Sequence, residues 1–166
     1  MTKNVTLKVP AGVDTGSQIR LSGEGEAGPR GGPNGNLYVA ISVRKHAFFE
    51  RDGQDILYSL PINFGQAALG DEIEVPTVDG QVVLKVPAGT QSGKIFRLKD
   101  KGVPNLRGGG RGDQHVYVKV MTPTELSSKE RELLEELRTV SRKQPLPHEK
   151  ADKGSIFDKV KEAFGA

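Results

Sequence analysis

Val5-Thr-Leu-Lys-Val-Pro-Ala-Gly12 returns, one change aside, as Val82-Val-Leu-Lys-Val-Pro-Ala-Gly89. The match continues at a constant offset of 77, so residues 5–43 lie over residues 82–120 with no gap. Gly16, Arg20, Leu21 and Gly25 return as Gly93, Arg97, Leu98 and Gly102. Arg30-Gly31-Gly32 and Gly35 return as Arg107-Gly108-Gly109 and Gly112, and Val39 and Val43 as Val116 and Val120. Two copies are too few for a stacked solenoid, so the repeat predicts two related domains in tandem.

Each copy reads as β structure. Val5, Leu7 and Val9 alternate with Thr6 and Lys8, the period of a half-buried strand, and Pro10 and Gly12 end it. Gln18–Leu21 is a second short strand, a Gly/Pro-rich loop covers 23–35, and Leu37–Val43 is a third strand. The second copy gives Val82–Val86, Ile95–Leu98, a loop over 102–112 and His115–Val120. Between the copies, Asp55–Ile62 and Asp71–Val75 read as strands flanking a helical turn at Phe64–Leu69, stopped by Gly70. The first copy has no counterparts of these, so it looks like the same unit with its opening strands missing. The expected fold is mainly β: two tandem small antiparallel β-sandwich or barrel-like domains plus C-terminal helices. The expected boundaries are 1–47 for a truncated first domain, 48–122 for the second and 123–166 for a helical tail.

After Val120 the period changes to that of a helix. Ser127 with Glu130 fits a capping box, and Leu133, Leu134, Leu137 and Val140 form an apolar stripe behind it. A polar linker at 144–154 leads to a second amphipathic segment with Ile156, Phe157, Val160 and Phe164. Both stripes either pack on the chain's own sheet or pair with a second copy across a two-fold axis.

Composition narrows the function classes. The 166 residues carry a net charge of +3 with both signs interspersed, and 35% are hydrophobic with no Trp. That predicts thin cores and no committed nucleic-acid stripe. The absence of Cys removes disulfides, thiolate metal sites and a thiol nucleophile. No apolar run is long enough to span a membrane, and residues 1–10 alternate rather than forming a signal peptide, so a cytoplasmic address is expected. Gly23-Glu-Gly25-Glu-Ala-Gly28 matches a dinucleotide-loop pattern, but Pro29 and Pro33 follow and no helix can start there. His46, His115 and His148 lack ligand spacing, and Glu72 and Glu74 read as a solvated strand face. The Arg/Gly loops at 30–32 and 106–112 resemble RNA-binding tracts but fit hairpin loops better, and Arg111-Gly-Asp113 is a chance tripeptide. The adjacent Phe48-Phe49, ahead of a turn at Arg51–Gly53, stands out in a chain with six Phe. One ring is expected to plug the junction between copies, the other to line an exposed apolar groove beside an open strand edge.

Several motifs together resemble a known family. Lys8-Val-Pro-Ala-Gly-Val-Asp-Thr-Gly16, Ile19-Arg-Leu-Ser-Gly-Glu-Gly25, His46-Ala-Phe-Phe-Glu-Arg-Asp-Gly53, Pro61-Ile-Asn-Phe64, Ala68-Leu-Gly70 and Val75-Pro-Thr-Val-Asp-Gly80 are similar to the C-terminal region of the bacterial DnaJ family of J-domain co-chaperones. The resemblance runs through nearly the whole chain, in order. It implies two substrate-binding β-domains and a C-terminal dimerisation segment, and a non-enzymatic chaperone of the stress response. The family's zinc-bearing type inserts its Cys-rich module just before the strand that starts here at Val5, so no zinc or other cofactor is expected in this chain, and the J domain is absent as well. Implied partners are unfolded client polypeptides, a DnaK-type chaperone engaged mainly through the absent J domain, and a second copy forming a homodimer. No nucleic acid or membrane is implied. Phe49 is the implied groove residue, joined by Leu7 and Val5 of the first strand. The implied dimerisation residues are Leu133, Leu134, Leu137, Val140, Ile156, Phe157, Val160 and Phe164. Two other readings stay open: a dimerisation module without client binding, and RNA binding through the Arg/Gly loops.

Overall fold

The computed structural model describes residues 4–141. The chain divides into two compact units, Met1–Thr122 and Pro123–Ala166. The first unit is β throughout apart from one short helix and a 3₁₀ turn at Pro29–Gly31.

The internal repeat is reproduced residue for residue in the hydrogen bonding. In the first copy β1 (Gln18–Leu21) pairs antiparallel with β2 (Leu37–Ala40), Ile19 facing Val39 and Leu21 facing Leu37. In the second, β7 (Ile95–Leu98) pairs antiparallel with β8 (Gln114–Met121), Phe96 facing Val116 and Leu98 facing Gln114. The same offset of 77 carries one register into the other. The bonds beyond the strands follow it too. Gly16 N–H donates to Ile41 O at 3.0 Å, as Gly93 N–H does to Val118 O at 2.8 Å. The Thr15 hydroxyl accepts from Val43 N–H at 2.9 Å, and Ser92 replaces it for Val120 at 3.1 Å. Gly25 and Gly102 both lie against backbone just ahead of the returning strand, Gly35-Asn36 and Gly112 respectively, where a Cβ would collide with it.

The segment between the copies supplies what the second copy has and the first lacks. β3 (Phe49–Asp52) and β4 (Asp55–Asn63) form an antiparallel hairpin, and β4 runs parallel to β8 from Ile56 beside Gln114 to Asn63 beside Met121. The sheet order is β3-β4-β8-β7. α1 (Phe64–Leu69) follows, capped by Asn63, whose side chain accepts from Gln66 N–H while the Gln66 side chain accepts from Asn63 N–H. β5 (Asp71–Thr77) and β6 (Gly80–Val86) then form a separate two-stranded sheet. The core joins these two layers: Leu60, Ile62, Val116 and Val118 from the large sheet meet Val75, Leu84 and Val86 from the small one, with Ala67 of α1. Val75, Val116 and Val118 are fully buried, each contributing about 2 kcal/mol of apolar burial. Gln114, also fully buried, ties the layers by donating to Pro76 O at 2.8 Å.

Three local readings are corrected by the structure. Val5–Val9 alternates like a strand but pairs with none among the described residues. Its repeat counterpart, in β6, is a strand because β5 lies beside it, and the first copy has no described segment in that place. Phe49–Asp52, read as the approach to a turn, is a strand, because the chain reverses at Gly53-Gln54 and lays it against β4. The mainly β, layered architecture is as expected and four strand pairings are antiparallel, but β4–β8 is parallel, a crossover through α1 and three strands. Among the described residues before Phe48, none is buried, in keeping with a sheet that lacks a second layer.

In the second unit α2 (Ser128–Ser141) starts at the predicted box. The Ser127 hydroxyl accepts from Glu130 N–H at 3.3 Å, and Glu130 Oε2 accepts from the Ser127 hydroxyl at 2.6 Å and its N–H at 2.7 Å. These bonds hold the Glu130 carboxyl below its usual value, the Ser127 hydroxyl contributing most. Leu133, Leu137 and Val140 are exposed and Leu134 is half-buried. Ile156, Phe157, Val160 and Phe164 lie outside the described residues.

Candidate functional site

The chain leaving β2 stays bonded to the segment before β1 as far as Val43, through Ile41 to Gly16 and Ser17 and through Val43 to the Thr15 hydroxyl. It runs through Val43, Arg44, Lys45 and His46 to β3 and delivers Phe48 and Phe49 into a groove of about 740 Å³. One wall is the turn at Asp14-Thr15 of the first copy; the other carries Phe48, Phe49 and Ile56, closed by Val78 and Val103 from loops of the second. The groove therefore lies where the two copies meet.

Its aromatic wall is held by His46. The ring stacks on Phe49 at a centroid distance of 4.9 Å and meets Phe48 edge-on at 4.5 Å. Its Nδ1 accepts from the N–H groups of Phe48 and Phe49, each at 3.4 Å, which places the ring proton on Nε2. Phe48 and Phe49 also contact each other at 4.6 Å, and both contact Tyr58 of β4 edge-on. Offset and edge-on pairs of this kind add about 1 kcal/mol each beyond area burial. Phe48 is 51% exposed, whereas Phe49 is half-buried against Tyr58, its register partner. Thus Phe49 anchors the wall and Phe48 presents an open apolar face. β3 is an edge strand, bonded to β4 alone among the described residues.

Arg51 connects the two walls. From β3 its Nε donates to Gly53 O at 2.8 Å, its Nη1 to Val13 O at 2.7 Å and its Nη2 to Gly12 O at 3.1 Å, with Asp14 at 3.8 Å. Behind the turn, Gly12 is pressed on the Pro104–Leu106 loop so closely that a Cβ there would collide with Pro104 O.

The remaining polar constellations lie elsewhere. Asp55 accepts from Asp113 N–H at 2.7 Å and pairs with His115 Nε2 at 3.2 Å. Its carboxyl is held below the usual value, first by the Asp113 N–H and then by His115. This cluster staples the start of β4 to β8. Among the described residues no nucleophile is hydrogen-bonded to it, and no group of His, Asp and Glu is placed to hold a metal ion. Arg111 is committed to Asp79, at 2.6 and 3.1 Å, and to Gly102 O, while Arg30 and Arg107 are exposed.

Of the residues expected to bind an extended chain, Phe49 lines the groove, and Leu7 and Val5 are not among its lining residues. Leu7 is half-buried and Val5 is 38% exposed on the unpaired first segment. The sequence reading did not single out His46, Arg51, Ile56, Val78 or Val103 for this groove. His46 and Arg51 bracket the Phe pair in the quoted motif, so their spacing was the available signal; the other three reach the groove only through the fold.

Comparison with known proteins accords with this architecture. Residues 1–123 match the family model described as the DnaJ C terminal domain. The chain is 57% identical over 162 residues to the chaperone protein DnaJ of Brevibacillus choshinensis and 59% identical over 162 residues to that of Halalkalibacterium halodurans. It is 55% identical to the chaperone protein DnaJ of Bacillus licheniformis. Each match covers 98% of this chain but only 42–43% of the relative, so the chain spans about two fifths of their length. With its duplicated sheet and the motifs of both copies, this chain belongs to the DnaJ C-terminal domain family.

Proposed function

We propose that this chain is the client-binding part of a co-chaperone, without enzymatic activity, and that the groove at Phe48-Phe49 takes an extended apolar stretch of unfolded polypeptide. The observation that carries the reading is the exposed aromatic wall beside the free edge of β3. An apolar groove next to unpaired backbone binds with little sequence demand, because main-chain hydrogen bonds are common to every polypeptide. Bound clients pass to a DnaK-type ATPase in the cytoplasm, and the exposed Leu133, Leu137 and Val140 of α2 pair with a second copy. Val5 and Leu7 act, on this reading, as a second apolar contact outside the groove. No cofactor takes part.

The test is anisotropy titration of a fluorescein-labelled apolar peptide against the chain and its Phe49→Ala variant. Removing one aromatic anchor should weaken binding at least about tenfold, with the far-UV circular dichroism unchanged. Equal affinity in the variant overturns the groove assignment. Absence of binding in the parent chain supports a dimerisation module instead.

A further inference from the structure

The two copies anchor the same turn by different means. In the second copy, Pro87-Ala88-Gly89-Thr90 docks on α1 through backbone alone: Gly89 N–H donates to Ala68 O at 3.1 Å and Thr90 N–H to Ala67 O at 3.0 Å. The first copy has no described counterpart of α1, and its turn, Pro10-Ala11-Gly12-Val13, is held instead from its carbonyl side by the Arg51 guanidinium. One side chain stands in for a helix.

That substitution has a mechanical meaning. Arg51 lies two residues after Phe49 on β3, so strand alternation puts both on one face. Its Nε braces the Gly53 turn while its two terminal nitrogens reach the opposing wall, so one planar group spans the groove's base. The side chain is 25% exposed and its fork meets three carbonyls on two segments, a geometry an ammonium cannot reproduce. Backbone bonds to a packed helix fix a distance rigidly, whereas a guanidinium on a long side chain is a joint that can be loosened.

We infer that Arg51 is the positioning residue of the groove: it sets the spacing between the Asp14-Thr15 turn and the Phe48-Phe49 wall, and with it the bulk of the apolar side chain the groove admits. The inference rests on the reading of the groove as a client site, and its test separates the two. The natural chain has no Cys, so spin labels can be placed on Gln18→Cys and Ser59→Cys, both exposed, the first on β1 of the first copy and the second on β4. Pulsed electron paramagnetic resonance on the full chain should give one narrow distance distribution. Arg51→Met should broaden it, and Arg51→Lys should fall between the two. An unchanged distribution in Arg51→Met overturns the inference, provided hydrogen exchange in β4 and β8 shows the core intact. Peptide titration supplies the second arm. Arg51→Met should weaken a Phe-anchored peptide about tenfold, the scale of losing charge-assisted positioning bonds, and should reduce the preference for Phe over Val as anchor. A broadened distribution with peptide affinity and preference unchanged refutes the link between spacing and selection. A broadened distribution with no binding in the parent chain refutes the client reading and leaves Arg51 as the joint.

Discussion

Gly12 and Gly89 are repeat equivalents with nearly the same backbone, φ +91° and +78°, yet their surroundings differ. A Cβ built on Gly89 meets nothing within 4 Å, whereas one on Gly12 collides with Pro104 O and comes within 3.2 Å of Leu106 N. Replacing either by Ala therefore carries the same conformational cost, about 1 kcal/mol for an L-residue in the left-handed region. Gly12→Ala adds overpacking against rigid backbone, about 2 kcal/mol more. The difference between the variants isolates the docking of the first copy's turn on the second copy's loop. With no Trp in the chain, urea unfolding is followed by circular dichroism at 218 nm. At a slope of about 2 kcal/mol/M, Gly12→Ala should unfold about 1 M earlier than Gly89→Ala. Equal midpoints would mean that the turn is not pressed on Pro104–Leu106, and the account of how the groove's two walls are fixed would fall with it.

Two further predictions concern acid. Asp55 has its carboxyl pKa lowered from 3.8, so its stabilising contribution is present above that value and is lost as pH falls through the lower folded value. Asp55→Asn should flatten the part of the stability profile lying below pH 3.8; a profile of unchanged slope there would refute the staple. Glu130 is lowered from 4.5 by the Ser127 cap, so NMR of its side-chain carboxyl should give a midpoint below 4.5, moving back toward that value in Ser127→Ala. A midpoint at or above 4.5 in the parent chain would rule out the capping box in solution.

Much of the architecture was legible because the chain carries its own comparison. The 77-residue offset predicted strands at Gln18–Leu21 and Ile95–Leu98, and the two hairpins share one register because the residues facing each other were duplicated together. Local chemistry also announced α1 and the start of α2, since caps are short-range devices. What failed was whatever depended on a distant neighbour. Val5–Val9 has the right alternation, but a strand needs a partner. The parallel alignment of β4 with β8 leaves no trace in either segment, because parallel pairing is set by the crossover between them. The same limit applied to the site. Phe49 could be singled out as half of an aromatic pair, but Arg51 looked like a turn residue until the first copy's carbonyls came to meet it.

The parallel pairing also orders events in time. β1 and β2 close locally through a single loop, so the first hairpin can form as soon as residue 40 is made. β4 must wait: Ile56 finds Gln114 only after α1, β5, β6 and β7 have been laid down, and the entropy of closing that span is met before any of the core contacts repay it. During synthesis, then, the apolar strand holding Ile56, Leu60 and Ile62 is exposed until nearly the whole β unit has emerged. A region proposed to shelter other proteins' unpaired strands passes through a stage in which its own central strand needs the same shelter.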